Sequence, residues 1–487
     1  MSQPIEQLLT SPEGKTLEFK RDLSSPRNIL KTLVAFANTA GGCLLVGVDD
    51  QQQVVGVAQP LDEEERLGSL IADSIAPRLV PNIDLITHQG KNLVLIEVFP
   101  SGLRPHYLKA EGAEQGVYVR LGSSSRQADR ELVAELRRSA EGIVFDELPM
   151  PHLTVNDLGL DAARELFAHQ HALTEQELLT LRLLTREQGR LVPTKGAVLL
   201  FGKERQRYFP DAWVQCGRFT GKDKTHIFDH TEIHTHLPLV VEQVMDFLKK
   251  HAMRGADFSE IRRKDVWNIP LLILREAVIN ALVHADYSQI GAPIRIAFFD
   301  DRIEVESPGI LLPGMTIEDM KQGVSRLRNR VIARVFRELN LIEQWGSGVR
   351  RIFSEAQALG LREPDIIEIG MRVRLTVYLA EPKTIEPLAT PDELPTESRL
   401  ESRLESRLES KLAAKVLVLL DEQDAGKAQL AGALGHKSVS GELHKQIRRL
   451  MELGLIEMTL PDKPNSRLQK YRLTEQGRQL NATLRLT

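Results

Sequence analysis

Apolar and polar positions alternate in KTLEFK, residues 15–20: Leu17 and Phe19 point one way, Thr16, Glu18 and Lys20 the other. Period two predicts a half-buried strand. A helix follows, opened by Ser25-Pro26 and closed by Gly41-Gly42, with Pro at the first helical position and Gly past the last. The apolar strand CLLVGV, the polar turn DDQQQ and VVGV then read as a hairpin. A helix over 61–75, a strand pair over 83–99 and GVYVRLGSSSRQA complete a mixed α+β unit ending near residue 145.

Pro149 and Pro151 mark a boundary. Residues 155–210 carry helical periodicity, broken ahead of KGAVLLFG; PDAWVQCGRF reads as a strand and 237–253 as an amphipathic helix. Residues 270–290 are strongly helical, PIRIAFFDDRIEVESPG is a hairpin with an Asp-Asp turn, and EIGMRVRLTVYL is a closing strand. Residues 381–396 turn Pro- and Glu-rich, as a linker does. The repeat ESRLESRLESRLESKL comes next, and residues 411–487 read as three helices and two strands, LIEMTL and KYRLT, a winged helix-turn-helix pattern. The expectation is an α+β multidomain chain divided at 1–145, 146–255, 256–380, 381–412 and 413–487.

Length agrees, since 487 residues exceed what one core organises. A formal net charge of −4 excludes polyanion binding by bulk charge, so any nucleic-acid surface must be a local basic patch. Cys43 and Cys216 stand far apart, which argues against a disulfide framework or a cysteine zinc site and fits a reducing compartment. No basic segment followed by an apolar run opens the chain, and no apolar stretch reaches membrane-spanning length. A soluble cytoplasmic protein without a membrane partner is expected.

Three acids draw attention first. Glu13 stands five residues before Glu18, and Asp49-Asp50 sit where LLVGVDD runs out. Gathered carboxylates suit a hard divalent cation that activates water at a phosphoryl group. An Asp-rich turn beside an exposed strand glutamate accounts for the same residues. LEFKRDL, LVAFANTAGGCLLVGVDD, VVGV and GVYVRLGSSS resemble the Schlafen/AlbA-type domain over roughly residues 11–135. That resemblance implies nucleic-acid binding. By analogy with its nuclease members, it also implies a metal-dependent cleaving centre of Glu13, Glu18 and Asp50 holding Mg²⁺ or Mn²⁺. Lys20, Arg21, Arg104, Lys109, Arg120 and Arg126 are candidates for phosphate contacts.

LREAVINALVHADY places Glu276 and Asn280 at i and i+4, with His284 one turn further, on a helix otherwise apolar at Leu274, Val278, Ile279 and Leu282. Polar groups on a buried helix cost free energy unless they meet partners; magnesium and phosphate are suitable ones. Gly346, Ser347 and Gly348 lead into a later helix, whose N–H groups and dipole suit an anion. EAVINA and GSG resemble the Bergerat-type ATP-binding fold of gyrase, Hsp90, histidine kinases and MutL. The closer likeness is to the divergent form named after the carboxy-terminal part of RecG-like proteins. The resemblance implies ATP and Mg²⁺ as cofactors, Glu276 as water-activating base and Asn280 as magnesium ligand. It sets Glu306 and Gly309 in the first glycine motif, where an Asp ordinarily contacts adenine, and Ser325, Arg328 and Asn329 in a phosphate-contacting lid. No G-x-x-x-x-G-K-[ST] occurs, so no P-loop helicase motor is expected.

In the repeat, Leu400, Leu404, Leu408 and Leu412 recur every four residues between a Glu column and a basic column. Such a helix either pairs with parallel copies round a ring, giving a cyclic homo-oligomer, or forms a solvated linker. The tail resembles winged helix-turn-helix domains, with Lys445, Arg448 and Arg449 on the helix that would enter a DNA major groove; a protein-docking wing is the competing reading. The whole resembles ATP-binding transcription regulators of bacteria. The leading expectation is a regulator whose nucleotide occupancy controls DNA or RNA binding by its terminal domains, with slow ATP hydrolysis at most. The alternative is an ATP-gated, metal-dependent nuclease.

Overall fold

The computed structural model describes residues 4–379 apart from 169, 171, 253, 258–263, 268 and 343–347. Toward the end it describes 404, 408, 410–434, 440–462, 466 and 469–486. The chain folds as two compact units, 1–381 and 382–487.

The first unit begins with a four-stranded sheet. Strand β1 (Leu17–Lys20) runs parallel to β2 (Gly42–Val46), and β3 (Asn82–His88) and β4 (Lys91–Val98) complete the order β1-β2-β4-β3. Both faces are covered. Leu17, Phe19, Leu45 and Leu95 pack with Leu8 on one side; Leu44, Val46, Val94 and Ile96 pack against helix α1 (Pro26–Asn38) on the other. The expected partner strand VVGV is absent as a strand. The Asp49 carboxylate instead accepts the Gln51 and Gln53 N–H groups at 3.0 and 2.9 Å and folds the chain into a loop, leaving one bridge between Val48 and Val54. The hairpin β5 (Tyr118–Leu121) with Ser124–Gln127 leads to α2 (Arg130–Ala140), N-capped by Asp129, whose carboxylate accepts the Leu132 N–H.

The second sheet has six strands in the order β7-β6-β8-β9-β11-β10: β6 (Val214–Phe219), β7 (Ile227–Ile233), β8 (Ile294–Phe298), β9 (Arg302–Pro308), β10 (Asp365–Ile369) and β11 (Arg372–Tyr378). Strands β6 and β8 pair in parallel, the rest antiparallel. The sheet thus draws strands from both sides of residue 256, and the segments read as 146–255 and 256–380 share one sheet and one core. The closing strand proves to be two, joined at Gly370 and Met371, both at positive φ as a two-residue hairpin loop requires. A polar strand pair, Leu184–Glu187 with Arg190–Pro193, lies where helix was expected. Helix α3 (Leu271–His284) buries Ile273, Leu274, Ala277, Val278, Ile279, Ala281, Leu282 and Val283. Each large apolar side chain among them contributes roughly 1.5–3 kcal/mol.

The two halves of this unit meet through specific contacts. Lys15 pairs with Glu368 at 2.6 Å, whose other oxygen accepts the Leu311 N–H at 2.7 Å. The Gly314 N–H donates to the Thr39 carbonyl at 2.8 Å. Ile310 packs into a cluster with Val117, Val119, Leu132 and Leu136.

In the second unit, helices α6 (Lys411–Glu422), α7 (Lys427–Ala433) and α8 (Gly441–Glu452) precede an antiparallel pair, Ile456–Met458 with Tyr471–Leu473, and a final helix. Their core holds Leu417, Leu443, Ile447, Leu450 and Tyr471 together with Leu404 and Leu408 of the repeat. Those two leucines, expected to form a seam between copies, are buried within a single chain. The charged columns of the repeat lie outside the described residues.

Asp146 generates a testable prediction. Fully buried, its carboxylate accepts the N–H groups of Val331, Ile332 and Arg330 at 2.7, 3.0 and 3.1 Å, capping helix α4 (Arg330–Glu338). Asp146→Ala should cost about 1–3 kcal/mol, read as a fall in Tm. Burial, outweighing those N–H groups, pushes the Asp146 carboxyl up to about 7. A raised acid favours folding while protonated, so its contribution is complete below its unfolded value and is lost as pH rises through the folded one. Thermal melts from about pH 5 to 8 should therefore show wild type losing stability relative to Asp146→Asn. Parallel curves would contradict the assignment.

Candidate nucleotide and nucleic-acid sites

Helix α3 carries its polar residues on the side that faces a cavity of about 350 Å³. Glu276, Asn280 and His284 line that cavity, as the helical spacing requires. Asn280 Nδ2 donates to Glu276 Oε1 at 3.4 Å. Opposite stands the first turn of helix α5 (Gly348–Ala358). A Cβ built on Gly348 would lie 1.9 Å from Glu276 Oε1 and 3.4 Å from Asn280 Nδ2. Only a residue without a side chain lets the start of α5 approach the acid and the amide so closely. Gly346 and Ser347 lie outside the described residues. His284 has its ring pushed down to about 4, by burial first and by the Arg328 charge second, so at neutral pH it is an uncharged donor and acceptor.

Strand β9 settles the place of Glu306. Side chains alternate across a strand, and Val305 and Ser307 line the cavity. Glu306 is ion-paired with Arg374 Nη2 at 2.7 Å and with Lys224 at 3.4 Å. Burial alone would raise the Glu306 carboxyl, but Lys224 and Arg374 outweigh it and hold it below the ordinary range. The acid expected to read a base is thus committed to two cations, and Ser307 is the polar group of this strand at the cavity.

The lid residues separate. Ser325 is exposed at the cavity mouth. Arg328, expected to contact phosphate, is buried: Nε donates to Glu135 Oε1 at 2.9 Å, Nη1 to the His284 carbonyl at 3.0 Å and Nη2 to the Ile310 carbonyl. Gly309, at φ +100°, makes room for it, since a Cβ there would sit 2.1 Å from Arg328 Nη1. Asn329, also buried, donates to the carbonyls of Val283 and Ala285 at 2.9 and 2.7 Å and closes the end of α3. Both positions are structural because the final turn of α3 leaves carbonyls to satisfy. Arg337, Arg351, Met315 and Ile352 also line the cavity; no motif marked them, because chain folding alone brings them there.

The three acids of the amino-terminal half do not gather. Glu18, buried, is ion-paired with Arg120 and Lys20. Glu13 accepts the Phe19 N–H at 2.8 Å, and Asp50 is exposed in the turn. Among the described residues no group of three His, Cys, Asp or Glu side chains is arranged to hold a metal ion. The alternation in KTLEFK correctly set Glu18 apart from Leu17 and Phe19, but its partner is a guanidinium contributed by β5. Arg120, 1% exposed, also donates to the Gly14 carbonyl and Ser125 Oγ, so it cannot reach a phosphate. Arg104 is half-buried and bonded to the Ser101 carbonyl and to Ser139 Oγ. Arg21, Lys109 and Arg126 are exposed. In the second unit, Lys445, Arg448 and Arg449 are exposed on α8, opposite its buried Leu443, Ile447 and Leu450. Among the described residues no helix is long and apolar enough to cross a membrane.

Comparisons with known proteins fit this division. Residues 13–129 match the family described as Schlafen, AlbA_2, and residues 291–377 match the family described as the putative ATP-dependent DNA helicase recG C-terminal domain. Residues 413–474 match the C-terminal domain of Fic-like proteins, filamentation induced by cAMP. No match was found among curated proteins. Similar solved structures include the DIP2311 protein from Corynebacterium diphtheriae, 22% identical over 98% of this chain and 97% of that one, with a TM-score of 0.41. Another is the N-terminal domain of a putative ATP-dependent DNA helicase RecG-related protein from Nitrosomonas europaea. It is 31% identical over 26% of this chain and 90% of that domain, with a TM-score of 0.21. Residues 13–129, which hold the first sheet, are thus similar to the Schlafen, AlbA_2 family, and residues 291–377, which fall in the second sheet, to the recG C-terminal family.

Proposed function

We propose that the chain binds ATP with Mg²⁺ in the cavity beneath α3 and that occupancy governs nucleic-acid binding by its terminal domains. The carrying observation is the approach of Gly348 to Glu276 and Asn280, a cradle that one Cβ would fill. This supports a fit to nucleotide and magnesium: an amide and a carboxylate, both hard oxygen donors, face a helix N-terminus suited to phosphate. Asn280 would hold the ion, the start of α5 the phosphates, and Ser307 and neutral His284 the polar edge of the nucleoside. Bound there, magnesium and the triphosphate would supply a phosphoryl centre open to attack by water. Glu276 would orient that water and take its proton.

Arg328 supports the control by occupancy. The segment carrying it, from Ser325 to Arg328, lines the cavity, while its guanidinium is bonded to Glu135 on α2 of the amino-terminal half. A ligand that reorders this segment pulls on the domain proposed to hold nucleic acid. Arg21, Lys109 and Arg126 there, and Lys445, Arg448 and Arg449 on α8, are the exposed cations proposed to meet phosphates. The last three give a winged-helix reading of the second unit its recognition face.

Calorimetry with a non-hydrolysable ATP analogue and magnesium tests the cavity. Asn280→Ala should weaken binding at least roughly tenfold, and Gly348→Val, which fills the cradle, should abolish it. Glu276→Gln should bind but not hydrolyse. Unchanged affinity in Asn280→Ala would remove the assignment.

Nucleic-acid affinity, followed by fluorescence anisotropy, should fall steeply with added salt as counterions are released. Replacing Lys445, Arg448 and Arg449 together by Glu should flatten that slope by about two to three. An unchanged slope would take nucleic acid away from α8.

A further inference from the structure

A second cavity, of about 510 Å³, lies where α2 and the segment following it face residues 325–330. Its wall carries four guanidinium groups, Arg138, Arg326, Arg328 and Arg330, against two carboxylates, Glu135 and Asp286. Both acids are already committed. Glu135 is ion-paired with Arg328, and Asp286 accepts from Ser288 and Gln289. Among the described residues no carboxylate stands within ion-pair distance of Arg138 or Arg330, and Arg326 donates only to the Pro313 carbonyl.

More positive charge presses in from behind. Arg104 is bonded to Ser139, itself in the cavity wall, and its buried Nε has no partner. Burial, then the neighbouring Arg326, pulls its guanidinium below the ordinary value. Lys195 lies 4.1 Å from the centroid of the Phe145 ring and Arg138 lies 5.2 Å from it. Burial and Arg138 likewise pull the Lys195 ammonium down. Like charges thus gather around one cavity, and a bound anion would relieve their mutual repulsion.

We infer that this cavity is an anion site taking a small molecule with two or more phosphates, held by Arg138, Arg326 and Arg330. Guanidinium forks match phosphate oxygens in pairs. The volume is that of a small-ligand pocket and admits no nucleic-acid duplex. The site stands apart from the cradle at Gly348, shares with the first cavity only the wall at 325–328 and Leu312, and does not depend on the nucleotide reading.

The probe is pyrophosphate without magnesium, titrated calorimetrically into the full-length protein. Wild type and Asn280→Ala should bind it alike. The double variant Arg138→Glu, Arg330→Glu should bind roughly ten- to a hundredfold more weakly. If circular dichroism shows that pair to be unfolded, Arg330→Gln, a change at an exposed side chain, should still weaken binding roughly tenfold. Three results would overturn the inference: no pyrophosphate binding to wild type, equal binding by the folded arginine variant, or loss of binding in Asn280→Ala, which would place the anion in the first cavity.

Discussion

One buried guanidinium holds the larger unit in register. Arg328 reaches across from the 325–330 segment and is bonded at once to Glu135 on α2, to the carbonyl that ends α3 and to the Ile310 carbonyl after β9. Three elements distant in sequence are fixed by one planar fork, and each bond satisfies a group that burial would otherwise orphan. Truncating one partner of such a pair costs about 3–5 kcal/mol, because the other is left charged and dry. Gly309 follows from the same constraint, since any side chain there would occupy the space of Nη1.

The consequence for the cavity under α3 is geometric. Arg328 and Asn329 satisfy the carbonyls at the end of that helix, so Asn280 and Glu276, about one and two turns earlier, stay in a defined position. Charge has been sorted as well. Glu306 is neutralised by Arg374 and Lys224, Glu18 by Arg120 and Lys20. Glu276 lines the cavity under α3 beside the amide of Asn280 and the start of α5.

Helix and strand periods made much of this legible in the chain. The i, i+4 spacing of Glu276 and Asn280 predicted a shared face, and the structure puts both on one cavity. The alternation in IEVESP already separated Glu306 from Ser307, although the glycine-motif resemblance drew attention to the acid. The destinations of side chains contributed by distant strands were not legible. Nothing local pairs Arg120 with Glu18 across 102 positions, or Arg328 with Glu135 across 193. Partnerships of that kind decide whether a charged residue is a ligand or a strut. The division at residue 256 failed for the same reason, because β6 and β8 meet in parallel across a long crossover. In the repeat, the leucine period signalled an apolar seam, but a period cannot say whether the seam is met by another copy or by the chain's own α6 and α8.

Hydrogen–deuterium exchange on the full chain, with and without a non-hydrolysable ATP analogue and magnesium, tests the central claim most directly. Nucleotide under α3 should slow exchange in 271–284 and in 324–329, and, through Arg328 and Glu135, in 130–140. Protection that leaves 130–140 unchanged, or none in any of the three segments, would contradict a nucleotide site joined to the amino-terminal half by that guanidinium.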